Sequence, residues 1–353
     1  MEFDNHKVLR YTLRYMESIL KNITDKKKQL DQYMPFPKAF IENMEQWYKI
    51  ELTYSSNAIE GNTLTRQQTA QIVEKGITVK GKSITEHLEA VNHAKAYEYV
   101  RLLNLKNTNE INKRILLDLH AIILRDIDTT NAGVYRNTTV RIVGSRVTLP
   151  NPLKVPELMD DFFSWLHHSS ENIIKTAVDA HFKLVSIHPF TDGNGRCARL
   201  LMNLILIISG YPPTIIKKEN REQYISSIER GQLTQNLSDY YYFMYKAIDK
   251  SLDTFIKALK GTSKKTSSVS EQLMKIGELA KRTNETVSTI RFWTKQGLLD
   301  VKDFSPGGYQ LYDQKAIERI KKIRKLKKEK RLTITELKST HIGLPATRQA
   351  GSA

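Results

Sequence analysis

The segment from residue 188 to residue 199 holds the densest group of chemically capable side chains in this chain. It contains the run Gly193, Asn194 and Gly195, directly before an apolar stretch with the periodicity of a helix. Glycine reaches backbone angles that other residues cannot, so such a turn can direct several N–H groups at one anion. The start of the following helix favours negative charge at the same place. The pattern therefore predicts a phosphate-binding site.

Four titratable or charged side chains around that turn suit phosphoryl or nucleotidyl transfer. Arg196 and Arg199 are three residues apart on one helix face, and both guanidinium groups can hold phosphate. Asp192 supplies a carboxylate for Mg²⁺, which proteins commonly bind through one or two carboxylates together with substrate phosphates. His188 has the pKa of a general base for an incoming hydroxyl. The alternative is an ordinary turn between helices, with an incidental histidine and surface arginines.

Helical periodicity dominates the first 260 residues and places a helix on each side of this segment. Pro189 disfavours helical structure at His188, so His188 should stand at a helix end. One stretch differs: residues 138–149 contain two β-branched runs around Gly144, which predicts a tight β-hairpin. We therefore expect an all-α body that carries one β-hairpin.

Residues 188–199 fill every specified position of the signature HPFx(D/E)GNGRxxR, and the chain here resembles the Fic family. The resemblance extends over roughly residues 40–230. It implies a Fic helical core with a β-hairpin flap. Most Fic proteins transfer AMP from ATP to a serine, threonine or tyrosine hydroxyl of a target protein. A kinase-like branch has alanine and lysine in place of the signature glycines, so Gly193 and Gly195 argue against that branch.

The resemblance also implies roles for individual residues. His188 would be the general base, Asp192 would hold Mg²⁺ and Arg199 would hold the γ-phosphate of ATP. Residues 140–152 would form the flap, which aligns the extended chain of the target by strand addition. The phosphates would lie against Gly193, Asn194, Gly195 and Arg196, and the target would dock on Val140, Ile142, Val147 and Leu149 of the flap.

Ser56, Glu60 and Gly61 form the pattern (S/T)xxxE(G/N), with a hydroxyl and a carboxylate one helical turn apart and a glycine suited to end the helix. Alone, the pattern fits any helix end with an exposed glutamate. In the Fic family, an N-terminal helix of this kind folds back on the active site. The resemblance therefore implies an inhibitory helix at about residues 50–61, whose Glu60 pairs with Arg199 and displaces the γ-phosphate. Some members also use this glutamate to position water for removing AMP.

The chain has 353 residues and a formal net charge of +17, which is unevenly distributed. Residues 261–353 hold +11 of it, and the first 260 residues hold the remaining +6. Residues 259–272 are polar and rich in small side chains, which predicts a linker between the two parts. A strongly basic C-terminal quarter is typical of a nucleic-acid-binding module.

Residues 273–340 resemble the winged helix-turn-helix DNA-binding domain of the MerR family. The matching runs are Ile276-Gly-Glu-Leu-Ala280, Thr289-Ile-Arg-Phe-Trp293, Gly297-Leu-Leu299 and Gly308-Tyr-Gln-Leu-Tyr312. The chain departs from the family pattern at residues 292–294 and at Gln310, where the family has an arginine. The resemblance implies double-stranded DNA as a partner, contacted by Ser288, Thr289, Arg291 and Tyr309. A MerR fold that contacts only proteins is the alternative.

The sequence thus predicts an N-terminal helical region (1–95), a Fic core (96–258), a linker (259–272), a MerR-like domain (273–340) and a disordered tail (341–353). The single cysteine, Cys197, excludes an intrachain disulfide framework. No apolar run reaches the length of a membrane span and the first residues lack an apolar block, so we expect a cytoplasmic protein without membrane contact. A homodimer is compatible with the sequence.

Two functional hypotheses follow from these features. In the first, the chain is an autoinhibited AMP-transferase that uses ATP and Mg²⁺ and modifies itself and a target protein. In the second, it is a DNA-binding transcriptional regulator that uses its Fic domain as a nucleotide sensor. The complete signature favours the first hypothesis, because a sensor needs no general base.

Overall fold

The computed structural model describes residues 5–267, 273–304 and 310–330, together with Thr333, Glu336 and Leu337. The chain forms two compact units, residues 1–261 and residues 262–353. The boundary between them falls inside the predicted linker of residues 259–272, whose first part continues a helix. The rest of that linker, the predicted tail of residues 341–353 and Tyr309 lie outside the described residues.

The described chain up to residue 267 folds as ten α-helices joined by loops and short 3₁₀ turns, which confirms the predicted all-α body. The helices are α1 (Asn5–Asp31), α2 (Lys38–Ile59), α3 (Arg66–Lys75), α4 (Ile84–Leu102), α5 (Lys113–Ile123), α6 (Val155–His168), α7 (Ile173–Ile187), α8 (Asn194–Ile208), α9 (Arg221–Thr234) and α10 (Ser238–Ser267). The predicted boundary at residues 95 and 96 lies within α4. No helix among the described residues is both long and apolar enough to cross a membrane.

Local sequence explains where several of these helices begin and end. At the start of α4, the Ser83 hydroxyl accepts the N–H of Glu86, and the Glu86 carboxylate accepts the N–H of Ser83. This reciprocal capping satisfies donors that a helix N-terminus otherwise leaves unpaired. The end of α2 is set by Gly61, whose φ of 102° is a left-handed value that favours glycine. Glu60 therefore stands at the end of α2, as the sequence predicts.

Helices α7 and α8 form the buried centre of the first unit. Small side chains such as Ala177 and Ala180 on α7 are fully buried, and so are Leu204 and Ile205 on α8. Small residues let helix backbones approach closely, and close packing leaves little freedom for rotation. The loop between α7 and α8 is the segment with the Fic-like signature. It is therefore held between two buried helices that pack against each other.

The predicted hairpin, residues 138–149, reverses direction where the sequence predicts. The Ser145 N–H donates to the Ile142 carbonyl at 3.1 Å, and Gly144 between them has a φ of 79°. Half-buried residues alternate with exposed ones along both arms. No strand ladder joins the two arms among these described residues. The flap is therefore a turn between two arms without regular secondary structure, which are held by other parts of the protein.

The second unit is a small winged helix-turn-helix domain, as predicted. Its elements are β1 (Met274–Lys275), α11 (Ile276–Thr283), α12 (Val287–Lys295), β2 (Asp303–Phe304), β3 (Gln310–Tyr312) and α13 (Gln314–Lys330). The antiparallel sheet has the order β1-β3-β2, with Met274 opposite Tyr312 and Asp303 opposite Leu311. Its own apolar core includes Leu279, Ile290, Trp293, Leu298 and Ile320.

Candidate active site

His188 stands at the C-terminal end of α7 in a left-handed backbone conformation, with a φ of 52°. A residue with a side chain adopts this conformation only where its surroundings hold it. Here the His188 N–H donates to the Leu184 carbonyl at 2.9 Å, and Pro189 prevents the helix from continuing. Burial lowers the pKa of His188 below its ordinary value of 6.5. The imidazole is therefore neutral at pH 7, as a general base must be.

Arg136 holds the backbone around His188, and sequence reasoning missed it. Its side chain is 3% exposed. The Arg136 Nε donates to the His188 carbonyl at 2.7 Å, Nη1 donates to the Thr138 carbonyl at 3.1 Å, and Nη2 donates to the Pro150 carbonyl at 2.7 Å. One buried guanidinium group thus ties the turn at His188 to both ends of the flap.

Two side chains close the loop between His188 and α8. The Asn194 side chain accepts the Phe190 N–H at 2.9 Å and donates to the Phe190 carbonyl at 2.9 Å. The His120 ring stacks on Phe190 with 3.7 Å between ring centroids. Because the Gly133 N–H donates to His120 Nδ1 at 2.9 Å, the ring hydrogen lies on Nε2, which donates to the Asp192 carbonyl at 3.0 Å. Because the Asn194 side chain is engaged with Phe190, a phosphate would be bound by the Asn194 backbone N–H.

The two signature glycines serve different purposes. Gly193 caps α8 with a φ of 75°, which suits glycine, and the first N–H groups of α8 have no partner within the helix. Gly195 has an ordinary backbone, but a Cβ there would collide with Glu60 Oε1 and Arg199 Nη1. The space over the start of α8 is therefore a cradle that a side chain at residue 195 would fill.

Arg196 is 2% exposed and is balanced by two carboxylates. Its Nη1 lies 3.1 Å from Glu89 Oε1 of α4, and its Nη2 lies 2.9 Å from Asp192 Oδ2. The Glu89 contact comes from a part of the chain that the signature does not include. Because the Asp192 side chain is 64% exposed, water competes for the second contact.

Arg199, 5% exposed, is bound to the end of α2. Its Nη2 lies 2.6 Å from Glu60 Oε1 and 3.0 Å from the Ser56 carbonyl, and its Nε donates to Ser56 Oγ at 3.0 Å. Burial is the largest single influence on the pKa of Arg199 and acts to lower it, but Glu60 and Tyr224 together outweigh burial, so the pKa rises. The structure thus brings Ser56 and Glu60 to the last arginine of the signature, as the resemblance implied.

Helix α4 holds the segment that follows Glu60. The Asn62 side chain donates to the Glu86 carbonyl at 3.1 Å and to Glu89 Oε2 at 2.8 Å. The Thr63 hydroxyl donates to Glu86 Oε1 at 2.6 Å, and this bond and its neighbours lower the pKa of Glu86 to about 2. Glu89 therefore contacts both the segment that follows the predicted inhibitory helix and Arg196.

The flap is fastened at its turn as well as at its ends. Glu229 Oε1 of α9 accepts the Ser145 hydroxyl at 2.9 Å and the Arg146 N–H at 2.9 Å. The four predicted docking residues, Val140, Ile142, Val147 and Leu149, are half-buried. Sequence reasoning missed Glu229, which lies far along the chain in a helix without a motif.

The predicted DNA-contacting residues lie at the start of α12. The Thr286 side chain caps that helix by accepting the Thr289 N–H at 3.1 Å, and the Thr286 and Ser288 hydroxyls are 2.8 Å apart. Arg291 is exposed one turn further along. Tyr309 on the predicted wing lies outside the described residues.

The fit of Mg²⁺ to Asp192 rests on the chemistry of its donor. Mg²⁺ prefers hard oxygen ligands and is usually bound by one or two carboxylates, several waters and substrate phosphates. The mostly exposed Asp192 carboxylate, beside the cradle at the start of α8, meets that description. Within the part of the chain that the structure describes, no three histidine, cysteine, aspartate or glutamate side chains converge. Phosphate and water would therefore have to supply the other ligands.

Comparison with known proteins agrees with both units. The family "Fic/DOC family" matches residues 110–206, and the family "MerR HTH family regulatory protein" matches residues 274–340. The chain is 39% identical over 214 residues to the protein adenylyltransferase fic-1 of Caenorhabditis elegans, covering 60% of this chain and 42% of that protein. It is 33% identical over 253 residues to the protein adenylyltransferase Fic of Aedes aegypti, covering 71% and 50%. The chain thus spans half or less of these curated relatives.

Solved structures agree with the sequence relatives. Fic-1 from C. elegans matches with a TM-score of 0.66 at 32% identity, covering 73% of this chain and 76% of that chain. A Fic domain containing signaling protein from Bacteroides thetaiotaomicron matches with a TM-score of 0.61 at 25% identity, covering 68% of this chain and 98% of that chain. The helical fold and the glycine-rich loop are those of a Fic domain. The chain belongs to the Fic/DOC family.

Proposed function

We propose that the first unit is a protein adenylyltransferase, which moves AMP from ATP to a serine, threonine or tyrosine hydroxyl of a target protein. The main support is the loop from His188 to Arg199, where a neutral histidine precedes a glycine cradle and two buried arginines. The relatives of this chain are named protein adenylyltransferases, which points to the same reaction.

The proposed reaction uses these residues for deprotonation and for charge stabilisation. His188 takes the proton of the target hydroxyl, whose oxygen attacks the α-phosphorus of ATP. The bond from the α-phosphorus to the bridging oxygen of the β-phosphate breaks, and pyrophosphate leaves. The N–H groups at the start of α8 and Arg196 stabilise the charge on the phosphates. Mg²⁺, held by Asp192 and phosphate oxygens when bound, would neutralise part of that charge.

We propose further that the resting protein is autoinhibited by Glu60. The Glu60–Arg199 pair, at 2.6 Å, supports this, because Arg199 is the proposed partner of the γ-phosphate. Glu60 Oε1 also lies so close to Gly195 that a Cβ at residue 195 would collide with it, which places this carboxylate at the cradle. An ATP bound beside this carboxylate meets like charge and lacks its γ-phosphate partner. Release of Glu60 would remove the like charge and leave Arg199 free to bind the γ-phosphate.

Labelled ATP tests the transfer and the brake together. Glu60→Gly should raise auto-modification about tenfold, since one charge-assisted hydrogen bond to the buried Arg199 corresponds to about 1.4 kcal/mol. Glu42→Gly makes the same change at an exposed glutamate of α2 and should leave transfer unchanged. His188→Ala in the Glu60→Gly protein should abolish transfer and keep ATP binding. No transfer in the Glu60→Gly protein would contradict the enzyme and favour the nucleotide sensor.

We propose that the second unit binds double-stranded DNA. The match to a MerR regulatory family and the exposed Arg291 on the second helix of the helix-turn-helix support this. The same observations support the second candidate, a transcriptional regulator that uses its Fic domain to sense nucleotide. Binding of duplex DNA that weakens steeply with added salt is expected, because phosphate contacts release counterions. Salt-insensitive or absent binding would favour a unit that contacts only proteins.

A further inference from the structure

A chain of three buried side chains lies behind Arg199, and no step described above uses it. Its members are Tyr224 of α9, His181 of α7 and Tyr240 of α10, each 0–1% exposed. The Tyr224 hydroxyl lies 2.7 Å from His181 Nε2, and the Tyr240 hydroxyl lies 2.7 Å from His181 Nδ1. Arg199 Nη1 donates to the Tyr224 hydroxyl at 3.5 Å, and the Tyr240 hydroxyl donates to the Val178 carbonyl at 2.9 Å.

The two ends of this chain fix the direction of every hydrogen bond in it. A carbonyl can only accept, so the single hydrogen of the Tyr240 hydroxyl goes to Val178. His181 Nδ1 must then carry a hydrogen and donate it to Tyr240. In a neutral imidazole the other nitrogen accepts, so the Tyr224 hydroxyl donates to His181 Nε2. The lone pairs of the Tyr224 oxygen are then left for the guanidinium group of Arg199, which can only donate.

A neutral His181 is required for this arrangement, and the site enforces it. Burial, with a smaller contribution from Arg199, lowers the pKa of His181 to about 3. A protonated ring would donate to both tyrosines and would leave Tyr224 with a hydrogen to direct elsewhere. Near neutral pH the ring therefore stays in one tautomer.

We call Tyr224, His181 and Tyr240 the relay, and Glu60 with its contact to Arg199 the brake. The relay and the brake hold Arg199 from different parts of the fold. Ser56, in α2, and Glu60, directly after α2, make its closest contacts. Among the described residues, Tyr224 is the hydrogen-bonding side chain that reaches Arg199 from outside the segment of residues 38–60. When Glu60 withdraws, the contact from Tyr224 remains.

We propose that His181 and Tyr224 are positioning residues that hold Arg199 ready for the γ-phosphate of ATP after the brake is released. The proposal rests on the proposed role of Arg199 in ATP binding. Without the relay, the Arg199 side chain has more freedom, and part of the binding energy of the γ-phosphate is used to order it. ADP lacks that phosphate and should be insensitive to the relay.

ATP and ADP affinities, measured by titration calorimetry on the full Glu60→Gly chain, test the proposal. Tyr224→Phe should weaken ATP binding about fivefold, as expected for one hydrogen bond, and change ADP binding less than twofold. His181→Leu should do the same, and the double variant should be no worse than either single variant. Tyr48→Phe is the matched control, since the buried Tyr48 hydroxyl has no hydrogen-bond partner among the described residues.

Equal losses for ATP and ADP, or no loss for either, would overturn the positioning role. The same titrations separate it from the proposed enzyme, because they need no AMP transfer. A Glu60→Gly protein that discriminates ATP from ADP through Tyr224 but transfers nothing would refute the transferase and keep the relay.

Nitrogen NMR of the intact chain tests the relay without any change to its side chains. With ¹⁵N-labelled histidine, and His181→Gln to assign the signal, His181 should show a hydrogen on Nδ1 and none on Nε2 between pH 6 and pH 8. A hydrogen on Nε2, or protonation of both nitrogens in that range, would contradict the direction of the hydrogen bonds from Tyr224 to Tyr240.

Discussion

The arginines of the two units differ in what surrounds them. In the first unit, Arg196 and Arg199 are 2% and 5% exposed, and protein carboxylates already balance both. In the second unit, Arg291 is exposed on α12, and the basic face of α13 carries exposed lysines such as Lys321 and Lys325. The first pair is held in place before a ligand arrives, whereas the second set is left to the solvent.

This difference separates two ways of using positive charge. A buried guanidinium group with fixed partners suits a reaction that must place one polyphosphate accurately, and its ligand must displace a carboxylate. Exposed cations suit a long polyanion, which they attract at a distance and bind with a strong dependence on salt. The net charge of +17 therefore describes the second unit better than the first. Four predictions test whether the two units work independently in this way.

The largest expected effect is loss of transfer in His188→Ala. A positioned general base accelerates proton transfer by about 10² to 10⁴-fold, so kcat in the Glu60→Gly background should fall by that factor. ATP affinity should stay within twofold, because His188 lies outside the phosphate cradle. Duplex DNA affinity, measured on the same preparation by fluorescence anisotropy, should not change. A parallel loss of DNA affinity would mean that the units are coupled.

Arg136 should have the next largest effect, on stability as well as on rate. Arg136→Met leaves carbonyls at both ends of the flap and at His188 without their shared donor. The free energy of unfolding in urea should fall by about 2–4 kcal/mol, because the lost hydrogen bonds involve a charge. Arg136→Lys keeps the charge but cannot reach three carbonyls, so it should fold and still lower kcat about tenfold.

Arg141→Met is the matched control for Arg136. It removes an exposed arginine from the same flap and should change the free energy of unfolding by less than about 0.5 kcal/mol. If Arg136→Lys transfers AMP at the parent rate, the flap does not depend on this guanidinium group.

The features that the sequence predicted correctly depend on neighbours along the chain. Gly193 at the start of α8, the helix end at Gly61 and the proline after His188 act within one helical turn. Local backbone preferences therefore place these residues without knowledge of the fold. The pairing of Glu60 with Arg199 spans 139 residues, and only the family resemblance connected them.

The features that sequence reasoning missed are contacts between distant elements. Arg136, Glu89 and the relay from Tyr224 to Tyr240 carry no motif, because many positions on a helix or loop could supply the same group. The strand pairing expected in the flap is not seen among residues 138–149, because contacts with distant elements decide that too. Arg136 and Glu229 hold its arms from outside, and β-propensity does not decide which partner a strand finds.

A smaller effect is expected for Arg291→Ala, which tests the second unit. If Arg291 contacts DNA, the free energy of DNA binding should become less favourable by about 1–3 kcal/mol. If that contact is to a phosphate, the slope of log K against log salt concentration should fall by about one. Thr294→Ala, on the same helix but half-buried, is the comparison variant. ATP binding and auto-modification should stay as in the parent. An Arg291→Ala protein that binds DNA normally at every salt concentration would place the DNA surface elsewhere.

The smallest expected effect is that of pH above neutrality. Burial lowers the pKa of His188 below 6.5, and the base form exists above that pKa. Transfer by the Glu60→Gly protein should therefore be lost as pH falls below 6.5 and should change less than twofold between pH 7 and pH 8. Residues 262–340 contain no histidine, and arginine and lysine stay protonated throughout this range. DNA binding should accordingly stay level while transfer falls, and an acid limb above pH 7 would contradict His188 as the base.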